Sequence, residues 1–272
     1  MKRIAICNGK GGVGKTTAAR HLIYSAIERG LRTLAVDLDP QASLSKSLLF
    51  QQLTVEQQIH TGSTALSWSQ LDVPDVDRQA SAHLLYQKSA PLTPMAIAPH
   101  AALIGATPEL SDVLTWPIET AFTARSALQN MNGKYDICII DTPPTMSNLV
   151  LGALICSQYI VMPTDLNIDS MSGLLDTSLK IDLVRREWNQ HLELVGVLLN
   201  KVNPRRADDL SMRTTVRNAF GDAVLQTELQ DRAGVRHTSF RPVWKHQRGE
   251  SDRRAAAEMR AVCASIFEKI GL

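Results

Sequence analysis

The stretch NGKGGVGKTT, Asn8 to Thr17, satisfies two phosphate-binding patterns at once. Gly9 to Gly14 fits G-x-G-x-x-G, the dinucleotide fingerprint, and Gly9 to Thr16 fits G-x-x-x-x-G-K-[ST], the phosphate loop of nucleotide triphosphatases. An apolar run, Arg3 to Cys7, leads into it. After it, Ala19, Leu22, Ile23, Ala26 and Ile27 recur at helix spacing, and Gly30 is a plausible stop. The loop is therefore predicted to join a strand to a helix over 16–29. Gly11, Gly12, Val13, Gly14, Lys15, Thr16 and Thr17 would then wrap a phosphate with backbone N–H groups at a helix N-terminus.

The next acids decide between the two patterns. Asp37 ends a second apolar strand roughly 20 residues past the loop, where a ribose-binding acid belongs in a dinucleotide fold. Three features favour a triphosphate instead. Lys15 and Thr16 directly follow the last glycine, and only a phosphate loop needs that pair, for phosphate and for Mg²⁺. "DICIIDTPP" sets Asp141 after a second buried run, where a carboxylate near the metal would sit. "DLDPQ" supplies two acids, Asp37 and Asp39, where hydride transfer needs one. An NAD(P)-dependent oxidoreductase is the remote alternative.

Further strands are expected at 33–36, 102–105, 137–140, 159–162, 194–199 and 224–229, alternating with helical patterns. That order implies an α/β fold with a mostly parallel twisted sheet and helices on both faces. The whole chain, 1–272, reads as a single domain. Residues 51–94, rich in Gln, Ser, His and Asp, read as a surface excursion.

The chain has 272 residues, 44% hydrophobic and 21% charged, and no apolar run long enough to cross a membrane. Cys7, Cys138, Cys156 and Cys263 form no C-x-x-C pair and read as buried free thiols in a cytoplasmic protein. Net charge is +2, but residues 201–260 hold 13 basic and 8 acidic side chains. A solvated helical surface is the plain reading of that excess, and a polyanion-binding face the sharper one.

"KGGVGKTT", "VDLDPQAS", "YDICIIDTPPTMSNL" and "VGVLLNKVN" together resemble the ParA/MinD family of partition and positioning ATPases, which carry a deviant Walker-A phosphate loop. "ATPELSD", 106–112, is similar too. The resemblance implies ATP and Mg²⁺ as cofactors and an ATP-dependent sandwich homodimer. It makes Lys10 the signature lysine reaching the partner's nucleotide. Lys15 and Thr16 would bind phosphate and metal, and Asp39 would position the attacking water. Asp37 and Asp141 would support the metal, Asn200 would contact adenine, and 142–148 would sense the γ-phosphate. Asp165 and Asp169 read as solvated acids.

Within the family, the first strand begins at residue 3, which leaves no room for a preceding helix-turn-helix. None of the four cysteines suits an iron–sulfur relative. The last helix, 253–270, sets Ala257, Val262, Ile266, Phe267 and Ile270 on one side and reads as packed on the sheet, so no membrane anchor is expected. A small partition ATPase on nonspecific duplex DNA, associated with the nucleoid and stimulated by a ParB-like partner, is the implied function. Arg205, Arg206, Arg232 and Arg236 stand where the family places DNA contacts. His237, Thr238, Ser239 and Phe240 replace the family's usual turn there. The alternative is an ATPase that positions a protein cargo or acts at a membrane, as MinD-like proteins do.

Overall fold

Strands buried on both faces read as near-continuous apolar runs, and those runs set the sheet here. The computed structural model describes residues 1–52, 74–236, 240–245 and 249–272. Among them the strands are β1 (Lys2–Ile6), β2 (Thr33–Asp37), β3 (Met95–Ala98), β4 (Ala101–Ile104), β5 (Ile137–Asp141), β6 (Tyr159–Thr164) and β7 (Glu193–Leu199). They form one sheet in the order β3-β4-β2-β5-β1-β6-β7. Every neighbouring pair is parallel except β3 with β4. The expected mostly parallel α/β sheet is what forms.

The helices are α1 (Lys15–Glu28), α2 (Ser43–Phe50), α3 (Thr120–Gln129), α4 (Asn148–Cys156), α5 (Ile168–Glu187), α6 (Ala207–Phe220), α7 (Ala233–Arg236) and α8 (Glu250–Lys269). Strand side chains alternate between two cores. Ala5, Val36, Cys138 and Ile140 face one, with α3, α4 and α5. Ile4, Ile6, Ala35, Ile137 and Ile139 face the other, with α1, α2 and α8. Leu22 and Ile23 of α1 are fully buried there, each worth about 1.5–3 kcal/mol of transfer free energy. All four cysteines are buried and free.

Three expectations change. The run 224–229 forms no strand. It lies beside β7 through an isolated bridge at Val224 and through the Leu225 and Leu229 amides, which donate to the Val197 and Leu199 carbonyls at 2.9 Å each, and Leu225 covers Gly196, where any added Cβ would strike it. The 51–94 excursion is not all surface. Residues 53–73 lie outside the described ones, but two 3₁₀ turns, Arg78–Ala80 and Ala82–Tyr86, bury Ala80, Ala82, Leu85 and Tyr86. The Tyr86 hydroxyl donates to the Leu149 carbonyl at 3.1 Å, which is how a buried tyrosine keeps its polar end satisfied. Last, α8 does pack on the sheet, through Ala255, Met259, Val262, Ile266 and Phe267, but Ala257 points to solvent.

Candidate nucleotide-binding site

Parallel register brings the site together. Asp141 lies level with Ile6 on one side and with Asp37 on the other, so β1, β2 and β5 end at one height. The strand order reverses around β1, and open α/β sheets bind ligands at the carboxyl ends beside such a reversal. The loop leaves β1 there. Asn8 Nδ2 donates to the Pro163 carbonyl at 2.8 Å and ties the loop's start to β6. Gly12 (φ 75°) and Gly14 (φ 100°) take left-handed backbone that a side chain would resist, and Gly14 turns the chain into α1. Lys15 is 7% exposed, and its Nζ donates to the Lys10 carbonyl at 2.8 Å. Burial lowers its pKa, while Asp141, Cys7 and Asp39 oppose that shift. An ammonium held by one carbonyl inside a glycine loop is poised to exchange it for phosphate oxygens.

The carboxylates are not equivalent. Asp37 Oδ2 accepts from the Ser45 amide at 2.8 Å and hydroxyl at 2.7 Å, and its Oδ1 accepts from the Asp39 amide at 3.1 Å. Burial pushes its pKa up to about 6 despite these donors. Burial raises Asp141 further, with the Asp37 charge adding to the shift and a Thr16 hydroxyl hydrogen bond opposing it. Asp141 Oδ2 is buried without a hydrogen-bond partner. An orphaned carboxylate oxygen beside the Thr16 hydroxyl fits a divalent cation, which would supply the missing charge. Asp37 instead accepts three hydrogen bonds and braces Ser45 and Asp39 beside the site. Among the described residues no three His, Cys, Asp or Glu side chains could hold a metal alone. A cation here would therefore need the nucleotide's own oxygens, as Mg²⁺ sites usually do. Asp39 caps its own turn, with Oδ1 accepting from the Gln41 amide at 3.0 Å. Its second oxygen is not used in that turn.

Lys10 reaches the start of α5. Its Nζ donates to Asn167 Oδ1 and Ser170 Oγ, each at 2.6 Å, and lies 3.6 Å from Asp165 Oδ1. Asp165 was expected to be merely solvated. It is instead the lysine's ion partner, and it also accepts from the Ser170 hydroxyl. The α5 N-cap Asn167 thus holds both its helix and Lys10. From there α5 exposes Ile168, Leu175, Leu179 and Leu183 along one side, while Leu174, Ile181 and Val184 face the core. The 142–148 segment approaches the same loop: Pro144 lies 3.9 Å from where a Cβ on Gly11 would be.

Beside the loop is a cleft of about 300 Å³ lined by Gly12, Thr17, Arg20, Asn200, Lys201 and Asp231, among others. A larger hollow of about 610 Å³, against α3, holds no carboxylate and none of the loop residues. Asn200 faces the first cleft, where its amide is already engaged: Nδ2 donates to the Val13 carbonyl at 2.7 Å. Arg20 and Lys201 are among the cleft residues that the sequence reading did not single out. Arg20 is 3% exposed, and burial lowers its pKa to about 10. Lys201 follows Asn200 and was the easier to find.

The four arginines separate. Arg205 and Arg206 are exposed at the start of α6, and Arg206 pairs with Asp209 at 3.8 Å. Arg232 is not a surface contact. It lines the cleft, 14% exposed, and its guanidinium pairs with Glu258 of α8 at 2.7 Å and with Gln230 Oε1 at 2.9 Å. Its charge is thus already paired within the protein, unlike that of Arg205 among the described residues. The Arg236 side chain and residues 237–239 lie outside the described residues.

A family model described as AAA domain matches residues 1–194, most of the chain and all of the loop and carboxylate framework. The chain belongs to this family of P-loop ATPases. An uncharacterized protein of Mycobacterium tuberculosis is 31% identical over 228 residues, covering 83% of the ATPase and 66% of the relative. The chain thus spans just under two thirds of that relative's length. The chromosome-partitioning ATPase Soj of Thermus thermophilus is 31% identical over 229 residues, covering 84% and 80%. Among solved structures, a Cyanothece McdA variant in complex with ATP superposes with a TM-score of 0.78 at 15% identity, covering 100% and 97%. That likeness bears on the fold alone.

Proposed function

We infer that the protein is a Mg²⁺-dependent partition ATPase that dimerises on ATP, binds duplex DNA without sequence preference and turns over slowly until a ParB-like partner stimulates it. The observation that carries the reading is the single loop bearing two lysines with different aims. Lys15 sits over the buried carboxylates, while Lys10 is carried outward to the start of α5, beside the exposed Ile168. Such a lysine suits a phosphate on a second subunit, and the apolar side of α5 beside it suits protein contact. Lys15 and Thr16 hold the nucleotide. Mg²⁺ would sit between Thr16 and Asp141, offsetting charge on the transferred phosphoryl group. Asp39 orients the attacking water from its turn. Arg205 and Arg206 are the DNA contacts, and the protein resides on the nucleoid in the cytoplasm. The partition relative reported above supports this choice.

The test is ATP-dependent association and DNA binding together. Light scattering should show a dimer with ATP and Mg²⁺ that Lys10→Ala loses while keeping nucleotide binding in one subunit. Gel shifts on unrelated duplexes should follow the dimer. A dimer that binds no DNA would turn the reading toward an ATPase that positions a protein cargo.

A further inference from the structure

Three carbonyls of the glycine loop are each held by a side-chain donor. Lys15 Nζ takes the Lys10 carbonyl at 2.8 Å, Asn200 Nδ2 takes that of Val13 at 2.7 Å, and Lys201 Nζ takes that of Gly12 at 2.6 Å. Turning a loop carbonyl one way turns the next peptide N–H the other way, since each peptide is planar. Carbonyls held outward therefore leave N–H groups turned to the anion. The Lys15 hold is temporary, because its ammonium is needed by the phosphates. The Lys201 hold need not be, because its donor comes from the turn after β7 and no phosphate contact is assigned to it.

Lys201 is also placed there at a conformational cost. Its φ is 55°, one of three left-handed non-glycine residues among those described. Such backbone is strained for a residue with a Cβ and persists where surrounding contacts over-determine it. Its amide N–H donates to Asn200 Oδ1 at 2.9 Å, so the turn after β7 locks both side chains over the loop. An exposed lysine with no such task would find ordinary backbone less costly.

We propose that Lys201 is a positioning residue that clamps the phosphate loop in its anion-binding form through the Gly12 carbonyl. This rests on the ATP-binding reading. The clamp supports ground state and transition state alike, so it acts as uniform binding: it sets KM and leaves kcat alone. Lys201→Met keeps the stem and removes the donor. Lys201→Arg restores a donor of similar reach. Lys201→Gly relieves the left-handed backbone and also lacks the donor, which keeps a folded clamp-free variant in hand.

Calorimetric titration with ATP–Mg²⁺ and with ADP should show Kd rising about 10-fold in Lys201→Met and Lys201→Gly, the scale of one hydrogen bond to a charged donor. KM should rise with it, kcat should stay within about twofold, and Lys201→Arg should recover most of the affinity. The thermal midpoint of the nucleotide-free Gly variant should not fall. Unchanged Kd in the Met and Gly variants, or a fall in kcat at constant Kd, would overturn the clamp. An Arg variant no better than Met would overturn it as well. If the unaltered protein binds no ATP, the nucleotide reading fails and the clamp fails with it. Binding by the unaltered protein and by Met alike sinks only the clamp.

Discussion

Replacing Gly14 by Ala tests the loop's construction more directly than deleting a charge. Gly14 has φ 100° and stands at the N-cap of α1. A Cβ built there overlaps the Asn200 amide nitrogen and comes within 3.3 Å of Asn200 Cγ. Two costs follow. Left-handed backbone at a residue with a Cβ costs about 1–2 kcal/mol. The Asn200 amide must also move off the Val13 carbonyl, and a buried hydrogen bond lost that way costs about 1–3 kcal/mol. Gly14→Ala should therefore lower unfolding free energy by about 2–5 kcal/mol, a large part of a domain's usual stability. Asn200→Ala alone loses the second contribution, together with the acceptor for the Lys201 amide.

The double variant separates them. Once Asn200 is replaced by alanine the overlap is gone, and only the backbone cost of Gly14→Ala is new. The two changes should be non-additive by about 1–3 kcal/mol, the double variant being better than the sum of the singles. Urea unfolding of all four proteins in the absence of nucleotide measures this, provided the slopes agree. Additivity within about 0.5 kcal/mol would refute the claim that Asn200 braces the loop.

Three further outcomes are expected. Asp39→Ala should leave ATP affinity in place and reduce turnover by roughly 100-fold or more, since a water-orienting carboxylate acts in the transition state; equal turnover in single-turnover assays with the stimulating partner would contradict that role. His21 donates from Nδ1 to the Thr17 carbonyl and accepts the Val243 amide on Nε2, and burial lowers its pKa to about 3. The unfolded chain protonates His21 near pH 6.5 but the folded chain only near 3, so this contribution is full above pH 6.5 and falls by about 1.4 kcal/mol per pH unit below it. Asp37, raised to about 6, works the other way in acid. The clean readout is thus the stability gap to His21→Gln, which should shrink between about pH 7.5 and about 5.5, on either side of the unfolded pKa; a constant gap would refute it. Replacing Arg205 and Arg206 together by Ala should weaken DNA binding equally on all sequences and flatten its salt slope, with dimerisation intact; an unchanged slope would place the DNA face elsewhere.

The sheet was legible where strands are buried on both faces. Such runs stop at the residues that turn into the site, which is why Asp37 and Asp141 stood out by chain position, whereas Asn200 was singled out through the resemblance. β3 was not legible. It is a four-residue edge strand between Pro94 and Pro99, half-buried, with only a short turn before β4, and nothing in its composition separates it from a loop. The run at 224–229 looked like a strand because it is apolar, but apolarity reports burial rather than pairing. The site's second layer was hidden for a different reason. Lys10 meets Asp165, Asn167 and Ser170 across more than 150 residues, and Arg232 meets Glu258 from another helix. Local pattern carries no information about such pairs. Charge counting is little altered by pairing: Arg206, Arg213, Arg217, Arg232 and Arg254 pair with Asp209, Glu228, Glu258 and Glu250, acids of 201–260 already counted against them, whereas Glu28, which meets Lys245 and Arg260, lowers the excess from outside.

The Lys10 contacts bear on whether a trans role is physically feasible. In this arrangement the ammonium already has two hydrogen bonds and an ion partner, so reaching a second subunit means giving them up. The cost is moderate. Asn167 and Ser170 are neutral acceptors but the donor is charged, so each bond is worth about 1.5–3 kcal/mol where buried and less at this partly exposed site. Asp165 is 3.6 Å away, and the pair is partly exposed, at 26% and 19%, so solvent screening leaves it about 0–1 kcal/mol. A triphosphate in a closed interface offers several anionic oxygens with water excluded, where charge-assisted bonds are roughly twice as strong as neutral ones. Nor does Asn167 lose its purpose when Lys10 leaves, because its Oδ1 still accepts the Ser170 amide at 2.9 Å and keeps α5 capped. The start of α5 can therefore release Lys10 without unravelling, and the exposed Ile168 beside it stays in place for the partner. The trans role proposed above thus requires a partner's phosphates to bind the ammonium more strongly than these three contacts do.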